Sequence, residues 1–131
     1  MSRLILGTGI IAGFPTLNGN IYPREVLEKA INDQYFRRKI ECGEMVGGIL
    51  DNRTQECIGN MITHKVLDVR LYNEEVVVEI ETIDSIEAQL MFSSIKTPEA
   101  AMLVNCPEAI ATGMTIRQIN GIKAIHVPEK R

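Results

Sequence analysis

Two β-type runs facing each other across Asn73-Glu74 constrain the fold more than any other feature of this chain. Glu56 to Leu71 reads as one long, bent strand, and Val76-Val77-Val78-Glu79-Ile80-Glu81 is a β-branched run that returns antiparallel to it. Two long neighbouring strands of this kind predict a barrel or a strongly curled sheet. A second hairpin is expected where Ala109 to Ile119 and Ile122 to Val127 flank Asn120-Gly121, a strong two-residue turn signal.

Helices are expected at the periphery. Pro23 suits the first helical position, and Val26, Leu27, Ala30, Ile31 and Gln34-Tyr35 recur at helical spacing, with Arg24, Glu25, Glu28 and Lys29 on the wet face. Phe36-Arg37-Arg38-Lys39 suits the negative pole at the end of that helix, as a solvated terminus rather than an anion site. Asp84 is the expected cap of a second helix whose apolar face is Ile86, Leu90 and Met91. A third, short helix is expected from Thr97-Pro98-Glu99 through Leu103, ended by Asn105-Cys106-Pro107. Arg3 to Ala12 is a strand punctuated by glycines, and Glu44 to Leu50 is another that enters an Asp51-Asn52 turn. Gly7-Thr8-Gly9 only loosely matches a dinucleotide fingerprint. Asn18-Gly19-Asn20 makes a turn where that motif needs a helix, so the glycines are read as relieving a bent strand.

Composition narrows the function classes. At 131 residues, 45% hydrophobic and 24% charged, the chain fits one domain with a real core. A net charge of -3 gives no basic field for phosphate, so nucleic acid is not an expected partner. No apolar run reaches the ~20 residues that span a bilayer, and Met1 to Gly7 lacks a signal-peptide core, so a cytoplasmic protein is expected. Cys42, Cys57 and Cys106 are widely spaced and read as buried free thiols. His64 and His126 are far apart, so neither a metal site nor a cofactor is expected.

Several motifs, in order, resemble one family. Asn18-Gly19-Asn20-Ile21-Tyr22-Pro23-Arg24-Glu25-Val26-Leu27 is similar to the Asn-Gly-Arg-Ile-Tyr-Pro segment and following helix of tailed-phage prohead proteases, which share the assemblin fold of herpesvirus capsid proteases. Gly48-Ile49-Leu50-Asp51-Asn52-Arg53, followed by Ile58-Gly59, occupies the place of the segment that supplies the catalytic histidine. Thr63-His64-Lys65-Val66 resembles the next strand, whose histidine is not the base, and Gly113-Met114-Thr115-Ile116-Arg117 is the best match to the late Ser-x-Arg strand. The resemblance implies an α+β fold, a curled antiparallel β-barrel with peripheral helices, in a single domain over 1–131.

The departures fall on the chemistry. Asn52 stands at the histidine position, and an amide cannot accept and return a proton near neutral pH. Thr115 stands at the serine position, where the extra methyl restricts its rotamers, and Arg117 stands at the arginine. Losing the base alone costs orders of magnitude in rate. His126 is the candidate substitute base; His64, Asp51 and Asp68 read as structural or surface groups, and Ser93 and Ser94 lie at a helix end without a motif.

The expectation is therefore a catalytically degenerate member, with no confident catalytic residue. It would act as a structural or regulatory component of phage head assembly, a virion or prohead protein or a protease inhibitor. The expected partners are capsid, scaffold or prohead-core proteins or a second copy, with no membrane, in the host cytoplasm during assembly or in the capsid. The chain ends at Arg131, soon after the last expected strand, which leaves little sequence for substrate-binding elaborations. The alternative is an active maturation protease of serine/threonine type using Thr115 with a substitute base. A third reading is a small barrel that binds partners through its sheet edges and through Met91, Met102 and Met114.

Overall fold

A computed structural model of the chain describes residues 3–96, 98–104 and 113–129. The expected central hairpin is present. β4 (His64–Tyr72) and β5 (Glu75–Thr82) pair antiparallel, and Asn73 and Glu74 both take positive φ between them, as a two-residue hairpin turn requires. β1 (Arg3–Ile11) lies on the other side of β5. Its register shifts between Gly7 and Ile11, where Gly9 has φ +75°, so a glycine does relieve the bend. β2 (Val46–Gly47) closes the sheet in the order β1-β5-β4-β2.

The run expected as one strand from Glu44 to Leu50 is broken at Gly48. β3 (Ile49–Leu50) leaves the first sheet and pairs parallel with β7 (Ile122–Pro128), which in turn pairs antiparallel with β6 (Ala101–Val104). Both glycines are needed here. A Cβ on Gly47 would lie 2.0 Å from the Ile125 carbonyl oxygen, and one on Gly48 would lie 2.5 Å from that of Met61. The result is a curled half-barrel made of two sheets: the curl and the largely antiparallel pairing are as expected, but the barrel does not close, since β1 and β2 remain outer strands, and one pairing is parallel.

Helix α1 (Arg24–Ile31) turns Leu27, Ala30 and Ile31 into the core, as its spacing predicts. It ends earlier than expected, because Asp33 caps a separate helix, α2 (Gln34–Glu41), by accepting the Phe36 N–H at 3.1 Å. Arg37 is not part of a solvated cluster: it bonds the Ile31 and Val69 carbonyls and the Asp68 carboxylate, while Arg38 and Lys39 are exposed. Helix α3 (Ile86–Ser93) is capped by Ser85 rather than Asp84, and it buries Ala88 and Phe92 while Ile86 and Leu90 face outward. Apolar residues lie all round this helix, so periodicity alone cannot select its face.

Three further expectations fail. The strand expected from Glu56 begins only at His64, because Gly59 and Asn60 adopt positive φ within a short 3-10 turn over Ile58–Asn60. The helix expected through Leu103 is strand β6, since pairing with β7 overrides the helical preference of Ala101, Met102 and Leu103. The hairpin across Asn120-Gly121 also does not form: β7 takes β6 as its partner, residues 113–121 contain only a bridge at Thr115, and residues 109–112 lie outside the described residues, as do Asn105, Cys106 and Pro107. The core packs Leu27, Phe36, Val66, Val78 and Ile80 with Ile125 and Val127, so both sheets share it.

Candidate functional site

Asn52 lies at the tip of a loop built by its neighbour. The Asp51 carboxylate accepts the N–H groups of Arg53 at 2.7 Å and Thr54 at 3.2 Å. The chain then turns back through Gln55, at φ +60°, so that Asp51 N–H meets the Glu56 carbonyl and Cys57 bridges Leu50. Asp51 is thus the turn carboxylate expected. Asn52 and Arg53 are exposed, and with Asp51 and Glu129 they line an open hollow of about 430 Å3. Glu129 reaches it because its N–H bonds the Leu50 carbonyl, one step beyond the β3–β7 pairing.

Thr115 is held by a different part of the molecule. Ile21 N–H donates to the Met114 carbonyl at 2.8 Å and Ile116 N–H donates to the Ile21 carbonyl at 2.7 Å, so Thr115 makes a parallel bridge to Ile21. Buried Asn20 secures the same strand by accepting Met114 N–H through its side chain at 3.0 Å. The Asn-Ile-Tyr-Pro segment therefore does more than start α1: it fastens the Thr115 strand. Arg117 lies over α1, lining a hollow of about 310 Å3 with Glu25, Val26 and Lys29. The hollow of Asn52 and that of Arg117 share no lining residue.

His126 sits at a third position. On β7, opposite Ala101, its Nδ1 accepts Gly48 N–H at 3.0 Å, and Cys57 Sγ lies 3.5 Å away. Its described hydrogen-bond partners are Gly48 and Cys57, and burial lowers its pKa. The bond from Gly48 engages the lone pair that a general base would use. Cys57 is half-buried and Cys42 exposed, so neither is the buried thiol expected, and Cys106 lies outside the described residues.

The remaining candidates have structural partners. His64 is buried, its Nε2 donating to the Ile125 carbonyl at 2.8 Å and its Nδ1 accepting from Thr63 Oγ1 at 3.0 Å. Burial takes its pKa down to about 4, so the ring is neutral at pH 7. For Asp68, burial opposes ionisation, yet hydrogen bonds from Arg37 and Arg70 prevail and its pKa falls below the usual carboxylate value. Ser93 and Ser94 bond carbonyls of their own helix. Among the described residues no group of three His, Cys, Asp or Glu side chains could hold a metal, and no helix is long and apolar enough to cross a membrane.

The pairing of Cys57 with His126 is an arrangement that spacing along the chain did not suggest. The residues are 69 apart and are brought together where Ile49–Leu50 pair with β7 and Cys57 bridges Leu50. A glycine pair entering the Asp51 turn was the available signal, since it marks close backbone approach.

No family model matches this chain. No curated protein matches it either. Its fold is similar to that of the bacteriophage T4 capsid assembly protease gp21, with a TM-score of 0.69 at 13% sequence identity, over 96% of this chain and 80% of that one.

Proposed function

We propose that this chain is a catalytically degenerate, prohead-protease-like protein that serves phage head assembly as a structural or regulatory component. It would bind capsid, scaffold or prohead-core proteins, either as part of the prohead or virion or as an inhibitor of the active protease, and would work in the host cytoplasm. The fold it shares with a capsid assembly protease supports the setting. The observation that carries the loss of catalysis is Asn52, an exposed amide at the place where the resemblance requires an imidazole. Two observations support the same reading: Thr115 is bridged to Ile21, and His126, the candidate substitute base, already accepts Gly48 N–H at its Nδ1.

A retained scaffold without turnover predicts binding without cleavage. Purified chain incubated with scaffold or capsid protein should co-sediment with it and leave it intact, and a serine-directed fluorophosphonate should leave Thr115 unlabelled while labelling a genuine prohead protease. Defined cleavage that disappears in Thr115→Ala would overturn the proposal and establish the active-protease alternative.

A further inference from the structure

The dipeptide Asn-Gly occurs twice in the chain, and the fold puts its two copies in opposite settings. Asn18-Gly19 is locked. Gly19 N–H donates to the Thr16 carbonyl at 2.8 Å, and the Asn18 carboxamide oxygen accepts from both Thr16 Oγ1 and Asn20 N–H. Gly113 packs against this glycine, since a Cβ on Gly19 would lie 3.2 Å from the Gly113 Cα. Asn120-Gly121 lacks these restraints. Among the described residues Gly121 N–H has no hydrogen-bond partner, and no atom beyond its chain neighbours lies within 4 Å of where its Cβ would be. The exposed Asn120 carboxamide is held by one bond, in which its oxygen accepts from Gln118 Nε2 at 2.6 Å. That bond draws electron density from Cγ and leaves the carbon open to attack.

We propose that Asn120 is a self-modification site that deamidates to aspartyl and isoaspartyl forms, while Asn18 is protected by its turn. Gly121 N–H gives its proton to solvent hydroxide and the nitrogen attacks Asn120 Cγ. The new N–Cγ bond closes a cyclic imide as the Cγ–Nδ2 bond breaks, and ammonia leaves with a proton from water. Water then opens the imide at either carbonyl, so one water is consumed, one ammonia is released and nothing is oxidised or reduced. Glycine suits the attacking position because no Cβ hinders the carboxamide's approach. The product alters this surface. Asn120 lines a hollow of about 80 Å3 with Lys29 and Asp33 and one of about 420 Å3 with Tyr35 and Lys39, so a carboxylate is set among these side chains. The net charge of the chain moves by one, from -3 to -4. The isoaspartyl form also lengthens the main chain by one methylene group immediately before β7.

The test is the full, unsubstituted chain kept at pH 7, with each asparagine followed by peptide mapping and the added charge by isoelectric focusing. Asn120 should convert at least about fivefold faster than Asn18, the factor carried by the one backbone hydrogen bond that must open before the Gly19 nitrogen can react. In urea that unfolds the chain the two rates should come within about twofold of each other, because both nitrogens then belong to glycine in an open chain. Asn18 leading, or equal rates in the folded chain, overturns the proposal. So does a difference of the same size in urea, since the order would then come from the flanking residues and not from the fold. Asn120 staying intact in the folded chain while it converts in urea overturns it as well.

Discussion

His64 is buried, neutral and bonded at both ring nitrogens, so its protonation must oppose folding. Its folded pKa of about 4 lies below the unfolded value of 6.5. The stability this ring contributes is complete above pH 6.5 and is lost as the pH falls towards 4. Between pH 7 and pH 4.5 the loss amounts to about 2–3 kcal/mol. Urea titrations at the two pH values should show it, and His64→Gln, although less stable at pH 7, should show a smaller drop. His126, also lowered by burial, adds a change of the same sign in both proteins. Arg37 gives a second expectation at this scale. It joins α2 to β4 through the Asp68 carboxylate and the Val69 carbonyl and also bonds the Ile31 carbonyl. Arg37→Ala should cost about 2 kcal/mol in urea denaturation, with Arg37→Lys recovering only part because an ammonium cannot reproduce the planar fork. Asp51 is legible as a turn carboxylate from its local pattern, and His64 reads in the sequence as a structural histidine, which its two hydrogen bonds match. The sequence could not reveal that Arg37 is a clamp, because the Val69 carbonyl it bonds lies 32 residues away.

At the scale of elements, the segment Val46–Leu50 decides the architecture, since β2 belongs to one sheet and β3 to the other. Gly47 is where the sheets come closest: a Cβ there would lie 2.0 Å from the Ile125 oxygen and 2.6 Å from His64 Nε2, the two atoms that share a hydrogen bond across the junction. Neither is the far end of a flexible side chain, so Gly47→Ala should push the sheets apart. A loss of at least about 2 kcal/mol is expected, measured by urea denaturation, with the largest increase in amide exchange at the β2–β7 junction. An alanine that leaves both unchanged would show that the close approach is not required. The elements legible in the sequence were those set by neighbours in the chain: the β4–β5 hairpin with its positive-φ turn, the bent β1, and the inward face of α1. The illegible ones depend on distant partners. Ala101 to Val104 has helix-forming residues but takes the register of β7, and the face of α3 is set by what lies beneath it rather than by its own spacing.

For the molecule as a whole, the two sheets have unequal means of standing alone. The second comprises a two-residue β3, a four-residue β6 and a seven-residue β7, too little regular structure for independent stability. Its buried side chains, including Ile125 and Val127, belong to the same core as Val66, Val78 and Ile80 of the first sheet. The chain also crosses between the sheets within five residues, and His64 bonds the Ile125 carbonyl across them. We therefore propose that 1–131 folds as one cooperative domain. The chain has no tryptophan and three tyrosines, so far-UV circular dichroism and near-UV tyrosine signal are the suitable pair of probes. Their urea transitions should coincide, with a total stability of about 5–15 kcal/mol. Under the same conditions Gly47→Ala should move both midpoints together, because weakening the junction weakens a shared core. Separate midpoints for the two signals, or a variant in which only one signal moves, would mean that the sheets unfold independently and that the junction couples them only in geometry.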